Sequence, residues 1–346
     1  MYIMSYNISN LNISNYFPNY YYYTTIATIN SNSIDSDGTL NTGLNLGADY
    51  SVFASLEPIT SNVSTMGNVT FYDNTSTQFN WYLRRFNSSS AAWQIRINFL
   101  LVFNSQKLEV INTYKVNGLS LDTFFPIGKL YESDAITGAA DGNVSSVTIT
   151  NITPNRGYHV LSSIVSISGG TSGTYSPIEL STAIKSIVTA NVLTEDPTTG
   201  FDWGFSRTSG DNVNMKLEFM TIFTTNSTSN NTNTLPKSNY LINNEDLNKI
   251  YPICQFKSVN YQQMINTNIE GTVSIENYGT TKYAVFTTIY IHDNNSFLAI
   301  SKGLPNFLIT EKTNNSFKYS SATIDNTGTV GGTIYFTIIY SDKYPA

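Results

Sequence analysis

The stretch that decides the fold is Phe79-Asn80-Trp81 followed by WQIRINFLLVFN (93–104), because two later stretches are built in the same way. These are Phe201-Asp202-Trp203 followed by MKLEFMTIFTTN (215–226), and Phe317-Lys318-Tyr319 followed by TIYFTIIYSD (333–342). The distance from the first aromatic residue to the closing Asn104, Asn226 or Asp342 is the same each time. Such a recurrence is typical of tandem copies of one structural unit.

The apolar runs alternate with a period of two, which is the period of a β-strand. In 93–101, one face carries Trp, Ile, Ile, Phe and Leu, while Gln94, Arg96 and Asn98 occupy the other. The alternation ends at Leu100, where both faces become apolar. This pattern predicts strands that start with one wet face and end buried on both.

Two further landmarks recur in the same order. A proline follows a pair of aromatic or apolar residues, at Pro18, Pro126 and Pro252. A strand led by tyrosine then begins at Tyr158 and Tyr283, and Tyr20 to Ile29 has the same shape near the N-terminus. These landmarks predict three antiparallel β-sandwich units, at 1–104, 105–226 and 227–346. In the first unit, a longer loop from Asn30 to Gly47 is expected in place of a hairpin.

One helix is expected within the second unit, near 176–190. Ser176 is a typical N-cap residue, and Pro177 is favoured at the first position of a helix. The acidic Glu179 is favoured at the third position, in the first turn. An apolar stripe follows at Ile184, Ile187 and Val188.

The composition favours an all-β protein and excludes several classes. Only 12% of residues are charged and the net charge is −6, with no run of Lys or Arg, so no direct binding to nucleic acid is expected. The single cysteine, Cys254, excludes an internal disulfide framework and fits assembly in a reducing intracellular compartment. The start, MYIMSYNISN, lacks the features of a secretory signal, and no apolar stretch is long enough for membrane insertion.

No constellation in the sequence predicts catalysis, a cofactor or a metal site, so we expect a protein that is not an enzyme. His159 and His292 have no metal-ligand or nucleophile spacing around them, and a structural role is favoured for both. Asp35-x-Asp37-Gly38 resembles the opening of a calcium loop, but Leu46 stands where the bidentate glutamate is needed. An ordinary loop is therefore favoured there.

The run Tyr20, Tyr21, Tyr22 and Tyr23 is the candidate interface. Four consecutive tyrosines place two on each face of a strand, so packing against a neighbouring subunit is favoured over a sugar-binding platform. Trp81, Trp203 and Tyr319 occupy matching places in the three units, which favours a role as core anchors over ligand contact.

The Asn/Tyr/Ile/Thr-rich, Lys/Arg-poor composition, with Gly-Thr-Tyr-Ser-Pro-Ile-Glu-Leu at 173–180, resembles jelly-roll virion structural proteins of AT-rich DNA viruses and virophages. Those capsid, penton and minor capsid proteins build shells from single or double jelly rolls that trimerise or pentamerise. The resemblance implies that the three β-sandwich units are jelly-roll-like and that the chain is a virion component that contacts copies of itself and other capsid proteins. Three short units do not match the two modules of a double jelly roll. Since the double jelly roll is the alternative that the resemblance offers, a division of the chain into two domains near residue 168 stays open.

A second class of function also fits the sequence. A fibre or adhesin on a cell or particle surface uses sandwich modules to bind a glycan receptor, and it is expected to expose aromatic residues at one end of a module. An enzyme is the least favoured class.

Overall fold

The structure is a computed structural model. It describes residues 6–8, 20–43, 50–60, 67–72, 74–85, 91–103, 115–116, 119–120, 128–132, 144–148, 158–166, 178–183, 200–207, 215–223, 240–242, 245–246, 253–263, 269–275, 277, 279–291, 306–322 and 330–340. Within these ranges the secondary structure consists of strands and no helix occurs, which confirms the all-β class.

The described strands are short to medium in length and rich in β-branched and aromatic residues, as pleated surfaces favour. They are β1 (Tyr6–Ile8), β2 (Tyr20–Ile29), β3 (Asp35–Asn41), β4 (Tyr50–Pro58), β5 (Gly67–Tyr72), β6 (Gln78–Arg85), β7 (Trp93–Phe103), β8 (Lys115–Val116), β9 (Leu119–Ser120), β10 (Gly128–Glu132), β11 (Val144–Thr148), β12 (Tyr158–Ser166), β13 (Ile178–Ala183), β14 (Gly200–Arg207), β15 (Met215–Phe223), β16 (Tyr240–Ile242), β17 (Glu245–Asp246), β18 (Ile253–Gln263), β19 (Ile269–Ser274), β20 (Tyr283–Ile291), β21 (Asn306–Thr310), β22 (Ser316–Ala322) and β23 (Val330–Tyr340).

Three sets of six consecutive strands follow one pairing scheme. We call them the first group (β2–β7), the second group (β10–β15) and the third group (β18–β23). In each group the sixth strand pairs between the first and the third, and the fifth pairs between the second and the fourth. All of these pairs are antiparallel, so each group contributes two three-stranded arrays.

The register of the aromatic triplets is also the same in the three groups. The first aromatic residue of each triplet lies opposite an aliphatic residue of the second strand, and the second lies opposite a small one. The pairs are Phe79–Leu40 and Trp81–Gly38, Phe201–Val147 and Trp203–Ser145, and Phe317–Val273 and Tyr319–Gly271.

The third strand of each group begins with a tyrosine opposite an aromatic residue of the sixth strand. The pairs are Tyr50–Phe103, Tyr158–Phe223 and Tyr283–Tyr340. The match of Tyr20 to Tyr158 and Tyr283 was therefore wrong, because Tyr20–Ile29 is the first strand of its group. The correct counterpart, Tyr50, shares the Tyr-x-Val spacing of the other two.

Two other local predictions were wrong. Ile178–Ala183 is a strand paired with β14 instead of the start of a helix, and 184–190 lie outside the described residues. Apolar and polar residues alternate in 178–181, and pairing with β14 outweighs the local capping signal. Likewise Asp35–Asn41, expected in a loop, is strand β3, paired with β6.

The core of the first group lies between its two arrays and is centred on three phenylalanines. Phe71, Phe79 and Phe99 meet edge to face, with ring centroids 5.1–6.0 Å apart. Such pairs add about 0.5–1.5 kcal/mol each beyond the burial of their area. Val165 from the second group and Leu308 from the third belong to the same cluster.

Strand pairs also cross between the groups. Val165 of β12 pairs in parallel with Phe71 of β5, which joins arrays of the first and second groups into one six-stranded sheet. Outside the groups, strand β1, which precedes the first group, pairs in parallel with β16, which precedes the third. The predicted unit boundaries at 104/105 and 226/227 fall between the groups, and they stay a prediction.

Candidate functional site

The tyrosine run lies on β2, and the structure describes the side chains of Tyr22 and Tyr23. Tyr22 is buried, at 8% exposure. Tyr23 is half-buried, packs against the core of the first group and donates a hydrogen bond from its hydroxyl to the Thr42 carbonyl oxygen at 2.7 Å. The side chains of Tyr20 and Tyr21 lie outside the described residues. The interface assignment stays a prediction, and Tyr23 also has a role in its own group's core.

Two of the three proposed core anchors have described side chains, and both lie over a glycine. Trp81 and Tyr319 are buried in the cores of the first and third groups. A Cβ atom on Gly38 would lie 2.5 Å from the Trp81 ring, and one on Gly271 would collide with the Tyr319 ring. The glycines therefore make room for the rings. The side chain of Trp203 lies outside the described residues.

A tyrosine holds the turn before the aromatic triplet in both the first and the third groups. The Tyr50 hydroxyl lies 2.9 Å from the carbonyl oxygens of Thr75 and Gln78. The Tyr283 hydroxyl lies 2.9 Å from those of Thr313 and Ser316. Each threonine closes its turn with a backbone bond of 2.8 Å to the carbonyl three residues later.

Replacing Tyr50 or Tyr283 by Phe should lower the free energy of unfolding by about 1–3 kcal/mol, because carbonyl groups of the turn lose their donor. Burial, with a smaller effect from Glu218, raises the pKa of Tyr50 to about 12. The unfolded chain ionises this phenol near pH 10, so the contribution is complete below about pH 10 and is lost towards about pH 12. Urea denaturation from pH 8 to 12 measures both effects. A loss below about 0.5 kcal/mol in both variants, the size of a surface substitution, would contradict this role.

The outer face of each third strand, away from its own core, is buried as well. Phe53, Leu161 and Phe286 each follow the leading tyrosine by three residues, and their exposures are 1%, 2% and 3%. Strands β4, β12 and β20 contact one another. The Ser55 hydroxyl, on this face of β4, donates to the Val285 carbonyl oxygen of β20 at 2.6 Å. The three groups therefore meet at their third strands.

A charged cleft lies at the contact between the first and third groups. Its centre is Glu57 of β4, which is 6% exposed and accepts a 2.7 Å hydrogen bond from Lys312 Nζ. Arg96 Nη1 lies 3.6 Å from the other carboxylate oxygen of Glu57. Ile59, which is 45% exposed, and Ile309 line the same cleft.

Lys312 is held on several sides. Besides Glu57, its ammonium group donates to the Tyr283 carbonyl oxygen at 2.6 Å and lies 5.0 Å from the centre of the Tyr283 ring. Burial lowers the pKa of Lys312, while the Glu57 carboxylate opposes that shift. The pKa of Tyr283 is raised, chiefly by burial and further by Glu57. The cleft thus pairs Glu57 and Lys312, two charged side chains that are largely shielded from solvent.

Sequence reasoning missed both the outer faces and this cleft. Glu57 and Lys312 are 255 residues apart, and neither belongs to a recognisable motif. The signal for the outer faces was present in the third strands, which are apolar on both sides near their tyrosines (YSVF, YHVL and YAVF). The suggested calcium loop is a strand, in which Asp35 Oδ2 accepts a 2.8 Å hydrogen bond from the Tyr82 hydroxyl.

Comparisons with protein-family models, curated proteins and solved structures found no match. Among the described residues, no three His, Cys, Asp or Glu side chains gather in a way that could hold a metal ion. Within the same part of the chain, no helix long and apolar enough to cross a membrane occurs.

Proposed function

We propose that this chain is a non-enzymatic structural protein of a virus particle, built from three tandem β-sandwich units that assemble through their surfaces. The observation that carries the proposal is the recurrence of one six-strand pairing scheme in three successive groups. Duplicated sandwiches with closely related faces suit a protein that tiles by shape. The proposed role is a capsid or capsid-associated component, in the outer shell, at a vertex or as a minor capsid protein.

The repeat proposal is supported at the level of single residues. Chance similarity in a biased composition would not reproduce pairing register, and here both aromatic positions of each triplet face equivalent partners. The shared turn on Tyr50 and Tyr283 is a second correspondence, made by side chains that the triplets do not include. Three tandem units are therefore favoured over a division into two near residue 168.

The connectivity within a group supports the jelly-roll-like description. The first four strands alternate between the two arrays, the fourth and fifth are neighbours in one array, and the sixth returns between the first and third. A jelly roll has eight strands in two sheets, so each unit corresponds to a jelly roll with one pair of strands fewer.

The virion role draws on the sequence resemblance and on the low charge of the chain. Interface cores are depleted of charged residues and enriched in aromatic ones. Here 12% of all residues are charged and 13% are aromatic, a composition that suits contact surfaces with few charges. A net charge of −6 suits a position away from the genome.

The alternative is a recognition protein on a cell or particle surface. The cleft beside Arg96 supports it, because a partly exposed guanidinium group that lines a depression is a suitable hydrogen-bond donor to sugar hydroxyl groups. The tyrosine run supports it less, since Tyr22 is buried and the Tyr23 hydroxyl is engaged by Thr42.

Light scattering of the purified chain over a concentration series, with negative-stain images of the same fractions, tests the proposal. Ordered oligomers or shell fragments, alone or with other particle proteins, are expected. A protein that stays monomeric at every concentration, joins no particle and binds an immobilised glycan would overturn the virion role in favour of recognition.

The tyrosine run is tested in the same assay by Tyr21→Ser. This variant is expected to weaken assembly, and Ile26→Ser, at an exposed position on the other face of the same strand, is the control for a nonspecific effect of a serine on β2. Tyr23→Ser should lower the melting temperature too, because Tyr23 packs against a core. An unchanged oligomer in Tyr21→Ser would remove that residue from the interface.

A further inference from the structure

Contacts between the three groups follow a cyclic order. The fourth strand of the first group contacts the third strand of the second, as β5 with β12. The same relation joins β13 to β20, and it returns from the third group to the first as β21 with β4. A linear row of units would make the first two contacts and lack the third, so the returning contact closes a ring.

At the two junctions with described side chains, residues from equivalent places in the groups lie together. At one, Phe71 of β5 pairs with Val165 of β12. At the other, Ile309 of β21 and Glu57 of β4 line the same cleft. Val165 and Glu57 each follow the leading tyrosine of their strand by seven residues.

Phe71 and Ile309 also occupy equivalent places in the first and third groups. Phe71 lies opposite Trp81, and Ile309 lies opposite Tyr319, which are the second aromatic residues of their triplets. The junction between the third and first groups is therefore a counterpart of the one between the first and second.

The segments that precede the first and third groups give independent evidence that the groups are related by rotation. Tyr6 and Tyr240 precede Pro18 and Pro252 by the same number of residues, so they occupy equivalent places. Strand β1 pairs with β16 in parallel, with Tyr6 opposite Tyr240 and Ile8 opposite Ile242. Rotation about an axis along the strands brings equivalent segments together in parallel, whereas a two-fold axis across them would make them antiparallel.

We propose that one chain folds into a closed ring of three units about a pseudo-three-fold axis, along which β4, β12 and β20 meet. One chain then takes the place of a homotrimer of single sandwiches. The partner that it fits is a site of three-fold or pseudo-three-fold symmetry on a larger assembly. The choice of partner rests on the proposed function, while the closure of the ring does not.

The contact between the third and first groups, which closes the ring, can be tested by chemical cross-linking. A water-soluble carbodiimide joins a carboxylate to an amine that it touches, and Glu57 and Lys312 are in direct contact at 2.7 Å. Treatment of the full chain should give a Glu57–Lys312 cross-link within the monomer, identified by mass spectrometry. The pair Lys318–Glu311, at 2.7 Å within the third group and exposed at 51% and 66%, is the positive control. Glu57→Gln should abolish the first cross-link and spare the second.

Small-angle scattering of the same full chain gives a second measurement that needs no reagent access. A compact ring of this length has a radius of gyration of about 20 Å, and a linear row of three units has a distinctly larger one. An elongated profile, or a Glu57–Lys312 cross-link confined to multimers, would overturn closure. A compact profile with the cross-link in the monomer supports it.

The partner is tested by locating the tagged protein on particles by electron microscopy. Density on three-fold or local three-fold positions is expected, and density on two-fold or five-fold positions would overturn this choice. If no particle carries the protein, the proposed function fails, and closure is still decided by the cross-link and the scattering profile.

Discussion

Phe53→Ala is expected to lower the free energy of unfolding by about 3–5 kcal/mol, the usual cost of removing a buried phenylalanine ring. Phe53 points away from the core of its own group, so an isolated sandwich would expose it and would tolerate the change. In the full chain it is 1% exposed, at the strand where the three groups meet. Urea denaturation of the variant and the parent measures the difference.

The matched control for Phe53 is Ile26→Ala, a large-to-small change on the same face of the same array at a residue that is 57% exposed. Its effect should stay within about 0.5 kcal/mol. Phe286→Ala should resemble Phe53→Ala, and the double variant should depart from additivity by at least about 0.5 kcal/mol if the two rings share one core. A loss for Phe53→Ala as small as the control would contradict burial of this face within the chain.

The long strands were the most predictable part of the fold. Side chains of Trp93–Phe103 alternate over enough residues that a single register buries the apolar set, and β7 forms over that range. The aromatic triplets lie on β6, β14 and β22. Each triplet could be recognised because the next strand along the chain has a strong alternating pattern. The presence and type of these elements follow from period alone.

Local signals failed where pairing competes with them. The capping residues before Ile178 predicted a helix, yet the six residues from Ile178 to Ala183 all find partners on β14. Asp35, Asp37 and Gly38 are typical of turns, but Gly38 also leaves space for the Trp81 ring across the strand pair. The need for a glycine at this position depends on which residue lies opposite it on the neighbouring strand. A single sequence does not give that pairing.

The charged cleft could not be predicted at all. Glu57 ends one strand and Lys312 begins a turn in another group, so their contact depends on how whole groups pack. The counterpart of Glu57 in the second group is Val165, which contacts an apolar partner instead. Equivalent junctions thus use different chemistry, and the repeat pattern gives no sign of it.

Lys312→Ala should destabilise the protein by about 3–5 kcal/mol, because it leaves the buried Glu57 carboxylate without its closest partner. Both side chains are largely buried, at 13% and 8% exposure, so solvent screens the pair poorly. Arg96 keeps contact with the other carboxylate oxygen at 3.6 Å and offsets part of the loss. Chemical denaturation at pH 7 measures the change, and Lys318→Ala, at an exposed pair in the same group, is the matched control.

Removing both charges of the pair should lower the free energy of unfolding far less than removing one. In Glu57→Leu with Lys312→Met, no charge is left unpaired except Arg96, which is partly exposed, and replacement of buried ion pairs by apolar residues is often neutral. If the double variant is as unstable as Lys312→Ala, the role of the pair is packing and not charge compensation. The two explanations separate when Glu57→Leu and Lys312→Met are also measured as single variants, which completes the double-mutant cycle.

The dependence on pH has a definite sign. Burial lowers the pKa of Lys312 in the folded chain, so the unfolded chain binds more protons between that pKa and about 10.5. Stability from this group should therefore rise with pH in that window, and Lys312→Met should remove the rise. Glu57, Arg96 and Tyr283 face Lys312, and the raised pKa of Tyr283 keeps its phenol neutral there. A fall in parent minus variant stability across the window would show that Glu57 outweighs burial, and the cleft would then hold its lysine by charge.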